Sequence, residues 1–383
     1  MGNLYTEFKK GQKGGNKGLY MGDGLSNISK AINGTQRGMT YGVAAGPKVG
    51  KSTFVDYGFI IEPYLYALEH KLNVNWIYFS FEMDRVAKEF DFLTYFIYKD
   101  YGIDIIDLPT GVTVDGESFI PFSSNYLRGR IMDDNDEIVL VTPDIESKVK
   151  ELYKKYIKPL FGSYNSNGYM TKKGLITFIE NKENPTGLRN FIIDYAEQRG
   201  EFQFEYFTDK SGNQGRKIVS YTPNNPNEYV FIITDTIRKL RRERDYSMKE
   251  TIDKYLEYST EIRNLCKYSF VHIVHLNRSV ADINRLKYMG DLIFPTPDDI
   301  KDTGNLSEEC NYLFTLFNPN DSKYNLQKHF GLKIKDDHGN ELFPHLRSAH
   351  LVESREVICP QHFRYEMYGN VKNFKQVLFK DIK

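Results

Sequence analysis

The chain has only three cysteines and one tryptophan in 383 residues, no long apolar run, and no excess of charge of either sign. Cys266, Cys310 and Cys359 are odd in number, far apart and without CxxC pairing, which argues against a disulfide framework or a zinc site. They fit a reducing compartment. The longest apolar runs are strand-sized, well short of the roughly 18 residues a membrane helix needs, and no signal peptide precedes them. A cytoplasmic protein with no membrane partner is expected. Lys+Arg and Asp+Glu are equal at 51 each, so no global field draws in nucleic acid, and such binding must come from locally sorted charge.

What is present is an alternation of strand and helix patterns, with no internal repeat. The length suits one large α/β domain with insertions, or two domains. Residues 1–20 combine glycine and lysine with few apolar positions and read as a flexible arm. GLSNISKAINGTQRG then reads as a short helix and turn. Strand patterns occur at MTYGVAA, at VNWIYFSF from Val74 to Phe81, and at LITFIE, YVFIITD and FVHIVHL. Helix patterns fall between them, including NPTGLRNFIIDYAEQRG, which opens on Pro-Thr and ends at Gly200. Such alternation predicts a mainly parallel sheet covered on both faces. The tail adds short strands at NYLFTLFN, GLKIKD, SAHLVES and FRYEMYG. Residues 21–383 therefore read as one α/β domain, with insertions at about 103–173 and at 201–228, the second a β-hairpin.

The segment Ala45, Gly46, Pro47, Lys48, Val49, Gly50, Lys51, Ser52, Thr53 joins a strand to a helix, the context a phosphate-binding loop needs. Its backbone N–H groups can close around a β-phosphate, Lys51 can reach the β/γ oxygens, and the Ser52 hydroxyl can complete a Mg²⁺ shell. The strict pattern begins with Gly where this chain has Ala45, which costs little if that position needs no positive φ. The alternative is an accidental GKS in a surface loop. ATP binding and hydrolysis with Mg²⁺ is the leading expectation.

Three strand ends extend it. YVFIITD delivers Asp235 where a second acidic group must stand to hold Mg²⁺ through water, the Walker B arrangement. Glu82 follows WIYFSF and can orient and deprotonate an attacking water, unless it only caps the next helix, MDRVAKEFDFLTYFIY. His275 and Asn277 end FVHIVHL, where a polar group can hydrogen-bond the γ-phosphate, although a lone His on a strand is often structural.

With these elements in order, the chain resembles the DnaB-type replicative helicases, hexameric motors on the RecA-like P-loop NTPase fold, from about Gly24 to the C-terminus with gaps at the insertions. GLSNISKAINGTQRGMTYGVAAGPKVGKS is similar to the family's entry into its ATPase core. FSFEM resembles SLEM, which implies Glu82 as the catalytic glutamate. HLNRS resembles QLNRS, with His275 at the usual Gln as in helicase-primases of short-tailed phages, which implies a γ-phosphate sensor. DDIKDTGNLSEECN resembles DLRESGSIEQDAD, a loop lining the central channel, which implies single-stranded DNA contact at Lys301, Asp302, Thr303 and Gly304. VESREVICPQHFRYEMYGNVKNF resembles the KxRNGPxG hairpin, which implies that Arg355 is an arginine finger for a neighbouring subunit. Here Glu353 replaces a cation and EVICPQ replaces the glycines, and Arg355 can instead pair with Glu353 or Glu356. The family's N-terminal helical domain has no counterpart beyond the arm, so primase contact through it is not implied, and the primase or loader partner stays open. The resemblance implies a homo-hexameric, ATP-dependent 5′-to-3′ DNA helicase, phage-encoded and working in the host cytoplasm. The rivals are a RecA-type recombinase or strand-annealing ATPase, and a non-motor ATP-bound replication scaffold or loader.

Charge sorted for DNA concentrates in IRKLRRER, directly after Asp235. Arg238 and Lys239 can neutralise phosphates in a channel. A solvated helix face with Arg–Glu pairs explains the run equally well. Lys301 is the better candidate, because Gly304 lets backbone N–H groups approach a phosphate as well, and such contact is indifferent to base sequence.

Overall fold

The apolar runs lie side by side in one nine-stranded sheet. Along the chain its strands are β1 (Thr40–Ala45), β2 (Val74–Ser80), β3 (Ile176–Ile179), β4 (Tyr229–Asp235), β5 (Ser269–His275), β6 (Tyr312–Phe317), β7 (Leu346–Ser354), β8 (Gln361–Tyr368) and β9 (Asn373–Gln376). Their order across the sheet is β9-β8-β7-β6-β1-β5-β4-β2-β3. Pairing is parallel from β6 to β3 and antiparallel from β6 to β9. This is a computed structural model, and it describes residues 17–165, 170–208, 214–277, 280, 282–300 and 305–377, with positions 5, 9, 11 and 12 ahead of them. Lys301, Asp302, Thr303 and Gly304 lie outside the described residues, as does most of the arm.

The central strands read as unbroken apolar runs because both faces of the sheet are covered. In β2, Trp76 and Tyr78 enter one apolar layer and Ile77 and Phe79 the other; in β4, Phe231 and Ile233 oppose Val230 and Ile232. Helix Arg85–Tyr101 and the helix after β1 build the first layer, and helices Pro185–Glu197 and Met248–Cys266 the second. Local chemistry sets where these helices start. Asn184 caps Pro185–Glu197 through Gly187 N, and Ser247 and Glu250 form a reciprocal capping box.

The helix after β1 runs as Lys51–Val55, a π segment Asp56–Ile61, and Glu62–His70. Pro63 has no N–H to give the carbonyl four residues back. Trp76 Nε1 supplies that donor, bonding Phe59 O at 2.8 Å. The single tryptophan thereby pins this helix to β2.

Between helix Arg85–Tyr101 and β3 the chain leaves the sheet for two small ladders, Ile105–Asp107 with Phe119–Pro121 and Ser163–Tyr164 with Met170–Lys172, and for helix Pro143–Leu152 with its continuation to Phe161. A second excursion is the hairpin Gly200–Thr208 with Gln214–Pro223. One tail segment departs from expectation. GLKIKD contributes only Leu332–Lys333, paired with Lys328–His329 apart from the main sheet, because its apolar residues join a local cluster with Phe317 and Leu346. No helix among the described residues is long and apolar enough to cross a membrane.

Candidate nucleotide site at the carboxyl edge of the sheet

Parallel register brings the strand ends together. Ala45 is level with His275 across the β1–β5 pair, and Asp235 with Ser80 across β4–β2, so the chain after each strand leaves at one edge. In open α/β sheets this edge is where ligands bind. A cavity of about 960 Å³ opens there, lined among others by Gly46, Val49, Arg238, Lys239, His275 and Asn277.

Ala45 closes β1 in extended geometry, so a side chain at the pattern's first position is tolerated. Left-handed backbone falls instead at Lys48 (φ 59°) and Gly50 (φ 100°). A Cβ on Gly50 would stand 2.2 Å from Met367 Sδ of β8, a contact that the flexible methionine can relieve by moving, so it is the positive φ that favours glycine there. The helix starts at Lys51, with Ser52 and Thr53 in a first turn whose N–H groups have no intrahelical partner. Lys51 Nζ donates to Gly46 O at 3.3 Å, which holds the ammonium over the loop. Burial lowers the Lys51 pKa, and the charges of Asp235 and Glu82 oppose that shift.

Asp235 is buried at the end of β4, and its backbone oxygen accepts from Phe81 N at 2.8 Å, which fixes the chain just before Glu82. Glu82 Oε1 lies 3.7 Å from His275 Nε2. Burial, then the charge of Lys51, push the His275 pKa below its ordinary value against the pull of Glu82, so the imidazole is neutral near pH 7. The helix-cap reading of Glu82 is not what the chain does: Asp84 caps Arg85–Tyr101, accepting from Ala87 N at 2.7 Å. Lys51, Glu82, Asp235 and His275 therefore share one electrostatic neighbourhood beside Ser52.

The basic run is not a helix face. Ile237–Lys239 is a single 3-10 turn, half-buried Arg238 and exposed Lys239 line the cavity, and Arg241, Arg242 and Arg244 continue as exposed irregular chain. Arg355 stands apart. It follows β7 at the opposite edge, where its N–H donates to Asn311 O beside the start of β6, a strand length of roughly 15 Å from the phosphate loop. Glu356 accepts from Asn311 Nδ2 at 3.1 Å and Glu353 from Ser307, so both carboxylates offered as surface partners of Arg355 are engaged by other donors.

Although Lys301 to Gly304 are not described, the chain leading to them is. Leu276 bridges Ile300, and Asn277 N donates to Asp299 O at 2.7 Å. Buried Asp299 accepts from Arg285 Nη1 with both oxygens at 2.7 Å. The segment ending at Ile300 is thus anchored one residue beyond His275.

Sequence reasoning missed the groups behind Asp235. Tyr78 of β2, Asp56 of the π segment and Lys88 of the following helix are all buried there. Burial pulls the Lys88 pKa down, but Asp56 and Asp235 more than offset it and hold the ammonium above its ordinary value. Burial pushes the Asp56 carboxyl up to about 6, opposed by Lys88. Removing one partner would strand a buried charge at about 3–5 kcal/mol. The only signal was a carboxylate on a helix face otherwise filled by Phe54, Val55, Phe59 and Ile60.

The sheet order, the phosphate loop and the polar strand ends together define a RecA-like P-loop α/β fold. No family model matches the chain, and no curated protein is similar to it in sequence. Among solved structures, the ATPase domain of a helicase of phage SPP1 matches with a TM-score of 0.61 over 98% of this chain and 97% of that one, at 11% identity. A DnaB-like replicative helicase, studied with its interactions with primase, matches with a TM-score of 0.60 over 98% of this chain and 68% of that one, at 13% identity. The chain has the fold of DnaB-like helicase ATPase domains.

Proposed function

We propose that this chain is a ring-forming replicative DNA helicase that couples ATP hydrolysis to 5′-to-3′ translocation on single-stranded DNA and to duplex unwinding. The observation that carries it is the gathering of Lys51, Glu82, Asp235 and His275 around a phosphate loop of helicase-domain fold. The loop amides and Lys51 hold the β/γ-phosphates, Glu82 takes the proton of the attacking water, and His275 meets the γ-phosphate. The oxygen donors Ser52 and Asp235 suit Mg²⁺, Asp235 being buried with Oδ1 free of hydrogen-bond donors among the described residues. Bound there, Mg²⁺ supplies charge neutralisation on the phosphates.

Arg355 stands at the sheet edge opposite its own phosphate loop, which suits a finger that completes the site of an adjacent copy in a homo-hexamer. Lys301 and its neighbours contact the DNA backbone, with Arg238 and Lys239 as a second basic patch. The Leu276–Ile300 bridge ties that loop to His275, so loss of the γ-phosphate contact is felt one residue from the loop's root. A primase or loader would be a further partner.

The test is ATP turnover with and without single-stranded DNA, together with unwinding of forks carrying a 5′ or a 3′ tail. DNA-stimulated turnover and 5′-dependent unwinding by ring-shaped particles are expected. Filaments without unwinding would replace this reading by a recombinase, and nucleotide binding without turnover by a scaffold or loader. Lys301→Ala should weaken single-strand binding about equally for all base sequences. Its log–log salt slope should flatten by about 0.7 for each lysine–phosphate pair removed. Unchanged affinity and slope would move the DNA path to Arg238 and Lys239.

A further inference from the structure

Asp235 is backed by polar groups that the chemistry above does not use. The Lys88 side chain is 1% exposed, yet it is a full charge within an apolar layer. Its ammonium donates to Asp56 Oδ2 at 2.8 Å and to the Tyr78 hydroxyl oxygen at 3.0 Å. That hydroxyl lies 3.2 Å from Asp235 Oδ2 and 3.3 Å from Asp56 Oδ1. A phenol has one proton to give. Lys88 already serves Asp56 with a charge-assisted bond and fills a lone pair of the phenol oxygen, so the Tyr78 proton is directed to Asp235.

We propose that Asp56, Lys88 and Tyr78 form a buried positioning network that sets the orientation of the Asp235 carboxylate toward the divalent cation of the bound nucleotide. It rests on the reading of Asp235 as the metal-side carboxylate. The three residues come from three elements: the helix after the phosphate loop, the strand before Glu82, and the helix after Glu82. One ammonium thereby references the loop and two strand ends to each other. Stability does not account for the arrangement, because a buried ion pair is commonly matched or bettered by apolar side chains of similar volume. A fixed carboxylate orientation does account for it, since partners behind a metal ligand tune affinity through orientation.

Tyr78→Phe removes a single oxygen and leaves the ring and the Lys88–Asp56 pair in place. A fluorescent ADP analogue is titrated onto the full chain, first in EDTA and then across a Mg²⁺ series. The variant should bind the analogue in EDTA as the wild type does, while the Mg²⁺ concentration giving half of the metal-dependent gain in affinity rises about 10-fold. Because Lys88→Met alone strands Asp56, it is paired with Asp56→Asn, and this double variant should show the same rise. A wild-type Mg²⁺ requirement in either protein overturns the proposal, as does an equal loss of affinity with and without Mg²⁺, which marks a merely structural group. Failure of the wild type to bind the analogue at all is a separate result, and removes the nucleotide reading together with the network's role.

Discussion

Replacing Glu82 by glutamine should leave nucleotide affinity near wild type and slow steady-state ATP turnover by about 100-fold or more. Glutamine keeps the size and hydrogen bonding of the side chain but cannot take a proton from water. The geometry isolates this role, since Asp84 already caps the following helix and the chain before Glu82 is held by the Phe81–Asp235 backbone bond. The substitution should therefore not disturb the fold. Lys51→Ala should behave differently and lose affinity as well, because the ammonium held over the loop is the cation proposed to meet the β/γ oxygens. Binding and single-turnover measurements on both variants separate the two effects. Turnover of Glu82→Gln within a few-fold of wild type would end its role as base, and near-normal turnover by Lys51→Ala would remove the claim of a phosphate loop.

Acidification from pH 7 to pH 5 should destabilise the fold by about 3 kcal/mol or more, a large part of the roughly 5–15 kcal/mol a domain holds. His272 and His329 are fully buried, and burial pushes each down to about 3. The unfolded chain takes up protons near pH 6.5 that the folded chain refuses, so stability is complete above that value and falls below it. Each group loses about 2 kcal/mol by pH 5, while Asp56, raised to about 6, returns about 1 kcal/mol by binding a proton in the folded state. Buried His350 lies well below its ordinary value and adds to the loss. Urea midpoints at both pH values measure it. His272→Leu should flatten the dependence by one proton's worth, because nothing hydrogen-bonds either ring nitrogen among the described residues. Equal stability at pH 7 and pH 5 would show that these imidazoles ionise in place.

Strand ends were legible because a parallel sheet covered on both faces turns each strand into an unbroken apolar run, and the first polar residue after it marks the edge. Asp235, Glu82 and His275 were found that way. The tail was half legible: its short strands were visible, but their antiparallel extension of the sheet depends on pairings such as Tyr312 with Ser354 that no local pattern encodes. Lys88 was illegible for a different reason. A lysine in MDRVAKEF reads as a solvated helix position, and its burial is made tolerable by carboxylates far off in sequence, Asp56 thirty-odd residues earlier and Asp235 much later. The same holds for His329 and His350, linked through the Ser348 hydroxyl inside the C-terminal layer.

The place of β1 has a consequence for the order in which the molecule is made. β1 is synthesised well ahead of its two neighbours, β5 and β6, from residues 269–275 and 312–317, and Gly50 rests on Met367 of β8. Pairings so distant along the chain close large loops and form slowly. The loop after β1 therefore lacks its flanking strands until residues 269–317 have emerged, and its buttress until Met367 has. A chain cut off before β6 would carry an intact phosphate-loop sequence with one side of β1 unpaired, an exposed edge of the kind that recruits other strands. On the proposed reading, nucleotide competence would thus come late in the folding of each molecule, after the β1–β6 pairing has closed.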